Sequence, residues 1–125
     1  MTIPQKTSTT KQSGDSAEES ALDHLQSKGL RLVTRNYRTP GRGGGEIDLV
    51  MRERDGTLVF VEVRKRRSSA FGGAAASVSA VKQRRIVFAA RHYLMRLPSL
   101  PPCRFDVVGL QDGEIEWLKG AFDAG

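Results

Sequence analysis

The sequence predicts an α/β fold: a mixed sheet of about five strands with helices packed on it, in the chain order α-β-β-β-α-β-β. Two stretches have apolar residues at helical spacing, and several short stretches rich in β-branched and aromatic residues lie between turn signals. The second helical stretch separates the third strand from the fourth, which is the position of a crossover connection. The 125 residues, 38% of them hydrophobic, suit one domain with a modest core.

The domain is expected over residues 14–122. Residues 1–13 contain almost nothing apolar, so we expect a disordered N-terminal tail that is either a simple tail or a source of weak phosphate contacts. Residues 123–125 form a short C-terminal tail.

The first helix is predicted over residues 15–28. Ser16 and Glu19 match a capping box, and Gly29 marks the helix end. Glu18 projects instead from the apolar face, where it either points toward a functional site or simply places negative charge in the first turn. That face consists of Ala21, Leu22 and Leu25.

A hairpin joins the strands predicted at residues 45–50 and 58–64. The preferred loop has three residues, 54–56, with Gly56 in the left-handed position of a bulged turn. In this register Asp48 faces Glu62 directly. The other predicted pairs are Glu46 with Arg64, Ile47 with Val63, Leu49 with Val61, and Val50 with Phe60. A two-residue loop would move Asp48 and Glu62 to opposite faces.

Two carboxylates facing each other across a strand pair repel, and burial among apolar residues makes the repulsion worse. A cation bound between Asp48 and Glu62 would remove it. The alternative is that both acids lie at a solvated sheet edge and pair with nearby arginines.

The first strand is predicted at residues 30–38. The glycine-rich loop that follows, 39–45, could let backbone N–H groups approach a phosphate, although it lacks the ending of a P-loop. After the hairpin, Arg64, Lys65, Arg66 and Arg67 form either a solubilising run or a phosphate-binding patch.

The second helix is predicted over residues 77–97. Its apolar stripe reaches back to Lys82, which either approaches the acids or extends along a half-buried face with its amine in solvent. Arg84 lies on another face of this helix. The last two strands, at residues 104–110 and 114–118, are joined by an Asp-Gly turn.

The acids of the hairpin suggest metal chemistry. Asp48, Glu62 and the main-chain carbonyl of Val63 would supply hard oxygen ligands for Mg²⁺ or Mn²⁺, which would orient and acidify an attacking water beside a phosphodiester. Arg64 could hold the scissile phosphate, and Lys82 could approach from the helix. No Cys/His cluster suggests zinc.

The charge balance favours a polyanionic partner, with nucleic acid first and an anionic membrane surface second. Lys and Arg number 20 against 14 Asp and Glu, which gives a net charge of +6. A single cysteine fits a reducing compartment, and neither a membrane-spanning stretch nor a secretory signal is apparent. We therefore expect a cytoplasmic protein with no membrane partner.

Asp48 on one strand, Glu62-Val63-Arg64 on the next and Glu18 on the preceding helix resemble the PD-(D/E)XK nuclease pattern, whose second strand carries Glu-x-Lys. More closely, the chain resembles the YraN family of small bacterial predicted endonucleases. The matching pieces are Gly14-x-x-x-Glu18-x-x-Ala21, Arg35-Asn36-Tyr37-Arg38, Gly45-Glu46-Ile47-Asp48-Leu49-Val50, Val59-Phe60-Val61-Glu62-Val63-Arg64, Phe71-Gly72, Lys82 and Arg104-Phe105-Asp106-Val107-Val108.

The resemblance implies a restriction-endonuclease-like fold similar to that of archaeal Holliday-junction resolvases. It implies Asp48 and Glu62 as metal ligands, with Glu18 as an auxiliary acid that could bind a second metal ion. This chain departs from the pattern at Arg64, which stands where the family has lysine. Arginine keeps the charge but cannot give up a proton near neutral pH, so Lys82 is the candidate to replace the missing lysine.

Three functions are compatible with this reading. The first is a metal-dependent nuclease acting on DNA, in particular on branched or single-stranded DNA in repair or recombination, and junction cutting would favour a homodimer. The second is a non-catalytic module that grips nucleic acid through Arg64 to Arg67, Lys82, Arg84 and Arg85. The third is a protein adaptor with a merely solubilising basic surface.

Overall fold

The computed structural model describes residues 10–65 and 78–124, and the side chains of 16–65 and 78–124. Several sequence predictions lie outside these residues. They concern the tail over residues 1–9, the cations Arg66 and Arg67, and the Phe71-Gly72 motif.

The elements follow the predicted order α-β-β-β-α-β-β. They are α1 (Thr10–Ser27), β1 (Arg31–Arg38), β2 (Glu46–Arg52), β3 (Leu58–Lys65), α2 (Ala80–Leu94), β4 (Cys103–Gln111) and β5 (Glu114–Phe122).

The five strands form one mixed sheet in the order β1-β2-β3-β4-β5. Neighbouring strands are antiparallel except β3 and β4, which are parallel. The connection through α2 returns the chain to the edge of the sheet where β3 begins, so β4 runs in the same direction as β3. The predicted mixed sheet is therefore confirmed.

The helices cover opposite faces of the sheet. Alternate residues of β3 accordingly belong to two separate hydrophobic clusters, one packed with each helix. Phe60 packs with Ile86 and Tyr93 of α2, whereas Val61 packs with Leu22 and Leu25 of α1. Glu62 therefore follows Phe60 onto the α2 side, while Val63 packs on the α1 side.

The predicted hairpin loop is confirmed. Gly56 N–H donates to the Glu53 carbonyl at 3.0 Å, and Glu53 N–H donates to the Thr57 carbonyl at 2.9 Å, so the loop spans residues 54–56. Gly56 has φ +96°, the left-handed conformation that this bulged turn requires. The predicted register is confirmed where Leu49 pairs with Val61 and Val50 with Phe60. The strand pairing ends there, so the pairs predicted beyond it, Asp48 with Glu62, Ile47 with Val63 and Glu46 with Arg64, are not part of the ladder.

The helix starts differ from those that the sequence predicts. α1 begins at Thr10, so residues 10–13 of the expected tail are helical and Ser16 is an interior residue rather than the N-cap. The capping-box prediction was wrong because that pattern is local and Gly14 costs a helix only about 1 kcal/mol. In α2 the N-cap is Ser79, whose Oγ accepts a hydrogen bond from Lys82 N–H at 3.1 Å.

Within the ranges described above, no helix is long and apolar enough to cross a membrane.

Candidate functional site

Asp48 and Glu62 meet where the β2–β3 ladder ends. The ladder runs from the hairpin loop as far as Leu49 and Val61. Beyond it, Val63 N–H donates to Oδ2 of Asp48 at 2.7 Å. The Asp48 side chain therefore replaces a main-chain acceptor at this point, which holds its carboxylate beside β3.

Glu62 is buried, with 3% of its surface exposed, and its two oxygens have different surroundings. Oε2 lies 3.4 Å from Nη1 of Arg64 and 3.8 Å from Nζ of Lys82. Oε1 is buried and accepts no hydrogen bond from any residue that the structure describes. A buried oxygen without a donor is costly, so this atom needs either a proton shared with Asp48 or a bound cation.

The two acids perturb each other. Burial raises the pKa of Glu62 to about 8, and the nearby charge of Asp48 contributes to the rise, while Lys82 and Arg64 oppose it. Burial also raises the pKa of Asp48, against the lowering effect of the Val63 N–H. Near neutral pH the pair therefore retains a proton unless another cation compensates the second negative charge.

The donor set fits a hard divalent cation with few protein ligands. Asp48 and Glu62 supply carboxylate oxygens, one of them the unbonded Oε1, and Mg²⁺ usually keeps several waters beside one or two carboxylates. In the described part of the chain, no three His, Cys, Asp or Glu side chains are close enough to form a metal site by themselves. Among the described residues, the main-chain carbonyl of Val63 is the candidate for a further ligand.

Glu18 is not brought into a three-acid cluster with Asp48 and Glu62 among the described residues. Its Oε1 lies 3.7 Å from Nη2 of Arg35, on the outer strand β1. The role of Glu18 as an auxiliary acid stays a prediction.

The glycine-rich loop lies against the second turn of α2. A Cβ on Gly45 would come within 1.9 Å of the Arg85 carbonyl oxygen, so only glycine allows this approach. Between the loop and the helix lies a cleft of about 280 Å³, lined by Arg38, Lys82 and Arg85 among others. Lys82 also contacts Glu62, so the cleft adjoins the two acids.

The other predicted cations are distributed over different surfaces. Lys65 lines a depression with Ser16 and Ser20 of α1, on the side of the sheet opposite to α2. Arg84 lies on the side of α2 that faces Asp123, away from the cleft. Of these cations, Lys82 and Arg85 are therefore the pair that the structure brings to the cleft.

One contributor to the cleft was missed at the sequence level. Arg38 lines it from the end of β1. The available signal was its position, since Arg38 immediately precedes the glycine-rich loop. Thr39, the first residue of that loop, closes it by accepting the Gly45 N–H on Oγ1 at 2.8 Å.

Similar proteins place the chain in a family. The model of a family described as "Uncharacterised protein family UPF0102" matches residues 17–110. A UPF0102 protein of Albidiferax ferrireducens is 68% identical over 127 residues, covering 99% of both chains. One from Paracidovorax citrulli is 68% identical over 94% of this chain and 87% of its own. One from Cupriavidus pinatubonensis is 63% identical over 97% and 93%. The chain belongs to the UPF0102 family.

Proposed function

We propose that this protein is a metal-dependent nuclease of the PD-(D/E)XK type that hydrolyses phosphodiester bonds in DNA. The observation that carries the proposal is the pairing of half-buried Asp48 with buried Glu62, whose Oε1 accepts no hydrogen bond from the described residues. Two cations and a basic cleft adjoin the pair. Paired acids with shifted pKa values beside a cleft are typical of active sites.

Asp48, Glu62 and the carbonyl of Val63 would hold Mg²⁺ or Mn²⁺, which when bound supplies positive charge that stabilises the developing charge on a phosphate and activates water. Asp48 is oriented for this task by the Val63 N–H. Glu62 must give up its proton, and Arg64 and Lys82 favour the ionised form because both lie close to Oε2.

Arg64 and Lys82 take different roles in this proposal. The guanidinium of Arg64 remains charged, so it binds and orients a phosphate oxygen. Lys82 has the amine that can exchange a proton. It approaches Glu62 from α2, whereas the family pattern has its lysine on the strand. Lys82 thus replaces the lysine that is absent at position 64.

The proposed substrate is DNA, with branched or single-stranded forms in repair or recombination as the preferred class, and the proposed location is the cytoplasm. The net charge of +6 supports a polyanionic partner. A homodimer would supply two active sites for cutting a junction.

A cleavage assay tests the proposal. Purified protein is incubated with single-stranded, duplex, flap and four-way-junction DNA in Mg²⁺, Mn²⁺ or EDTA. We expect cleavage only with metal, and a loss of at least about a thousandfold in Asp48→Asn and Glu62→Gln, equivalent to about 4 kcal/mol of transition-state stabilisation. Glu116→Gln, an exposed acid on β5, serves as the matched control and retains activity.

Cleavage that survives the double substitution Asp48→Asn with Glu62→Gln would overturn the assignment of the site. One observation favours a second function: arginine at position 64 departs from the nuclease pattern. If the protein binds DNA in a salt-dependent way but cleaves none of the substrates, it is a non-catalytic nucleic-acid-binding module.

A further inference from the structure

The cleft beside α2 is built from a closed loop. Thr39 N–H donates to the Gly45 carbonyl at 3.0 Å, and Gly45 N–H donates to Oγ1 of Thr39 at 2.8 Å. Nε of Arg85 donates to the Gly44 carbonyl at 3.4 Å, which joins the loop to the helix. The loop therefore has its own hydrogen bonds and a fixed position beside the helix.

Backbone atoms form much of the cleft wall. Gly41 and Gly43 line it, and a glycine can do so only with its main chain. Both have positive φ, +87° and +70°, and within the described chain their N–H groups donate to no other residue. Successive peptide groups in such alternating conformations form concave sites for anions.

The side chains around the cleft carry a net positive charge. Arg38, Lys82 and Arg85 contribute three cations, against the single carboxylate of Glu46. Glu46 is only loosely paired, since its Oε1 lies 3.8 Å from Nε of Arg38, and 72% of the Arg38 side chain is exposed. Arg38 can therefore turn to an incoming anion at little cost.

We propose that this cleft binds a second phosphate of the DNA backbone, next to the phosphate at Asp48 and Glu62. The inference rests on the proposed function and adds a subsite to it. Lys82 links the two positions, because it lines the cleft and contacts Glu62. Arg85 and the loop N–H groups hold the neighbouring phosphate. Contacts to this adjacent phosphate therefore position the scissile bond at Asp48 and Glu62.

Binding measured without catalysis tests the subsite. Fluorescence anisotropy of a labelled DNA strand is recorded in EDTA over a range of NaCl concentrations for the wild type and Arg85→Ala. We expect weaker binding and a salt slope smaller by about one for Arg85→Ala, because one phosphate contact is lost. Arg91→Ala is the matched control: the same residue type on α2, exposed and facing Ala124.

The outcomes separate the subsite from the enzyme. Equal salt slopes in wild type, Arg85→Ala and Arg91→Ala, with cleavage intact, would overturn the subsite and leave the nuclease standing. Equal reductions in both variants would also overturn it, since charge alone would then explain binding. Arg85→Lys keeps the charge without the fork, and partial recovery of affinity would support a specific contact. Thermal melts of each variant exclude unfolding as the cause.

Discussion

Two buried acids, Asp106 and Glu62, occupy adjacent strands of the same sheet and have opposite surroundings. Asp106 is fully buried, and donors surround it: Arg104 Nε at 3.0 Å, Trp117 Nε1 at 2.9 Å and Gly120 N–H at 2.9 Å. Glu62 has two cations near one oxygen and no hydrogen-bond donor from the described residues on the other.

A buried carboxylate with donors on both oxygens differs from one with an oxygen left unbonded in what it can still bind. Asp106 joins β4 to β5 and leaves neither oxygen without a donor, so nothing remains for a ligand to bind. Glu62 is buried beside a second acid, and burial followed by the nearby charge of Asp48 raises its pKa to about 8. Arg64 and Lys82 oppose this rise but do not cancel it, so the ionised pair remains costly in the described part of the protein.

The largest expected effect is on stability, from removing Asp106. Asp106→Ala leaves the Trp117 indole N–H and the Gly120 N–H without their acceptor and Arg104 with Glu53 alone, and we expect the free energy of unfolding to fall by about 3 kcal/mol. Glu62→Gln should leave the free energy of unfolding unchanged or raise it at pH 7, because a neutral amide replaces a carboxyl group that burial beside Asp48 destabilises. Urea denaturation measures both, with the exposed Asp23→Ala within about 0.5 kcal/mol of wild type as the control. Equal losses of unfolding free energy in Asp106→Ala and Glu62→Gln would contradict the claim that Asp106 stabilises the fold and Glu62 does not.

The next effect concerns pH. Glu62 binds its proton more tightly in the folded protein, where its pKa is about 8, than in the unfolded chain, where it is 4.5. Its contribution to stability is therefore fully present below pH 4.5 and lost as the pH rises through 8. In EDTA, the wild type should lose about 2 kcal/mol relative to Glu62→Gln between about pH 6 and 8. Parallel pH profiles for the two proteins would show that Glu62 is ionised throughout.

The smallest effect sharpens the role of Lys82. Lys82→Met removes the amine near Glu62 but keeps the apolar stem, and we expect cleavage to fall about tenfold, or about 1.4 kcal/mol, with an altered pH profile. Lys28→Met, an exposed lysine just after α1, should have no effect. Unchanged cleavage and pH profile in Lys82→Met would remove Lys82 from the mechanism. Arg64 would then be the cation that acts beside Glu62, without exchanging a proton.

Local patterns in the sequence predicted a large part of the site. The Gly56 turn and the alternation along β2 and β3 were enough to set the register next to the loop, as far as Leu49 and Val61, because a hairpin is closed by neighbouring residues. Beyond the ladder, a hydrogen bond from Val63 N–H to Asp48 holds this acid beside β3. The start of α1 was predicted wrongly, since a capping pattern does not show whether preceding residues remain helical.

By itself, the sequence determined the order of the elements and the hairpin register next to the turn, because these depend on short-range periodicity and turn chemistry. The tertiary structure alone decided which cations reach Asp48 and Glu62. It placed Arg85 beside the glycine-rich loop, turned Arg84 toward the C-terminus and paired Glu18 with Arg35. Such choices depend on how α1 and α2 pack on the sheet, and that packing joins residues far apart in the chain.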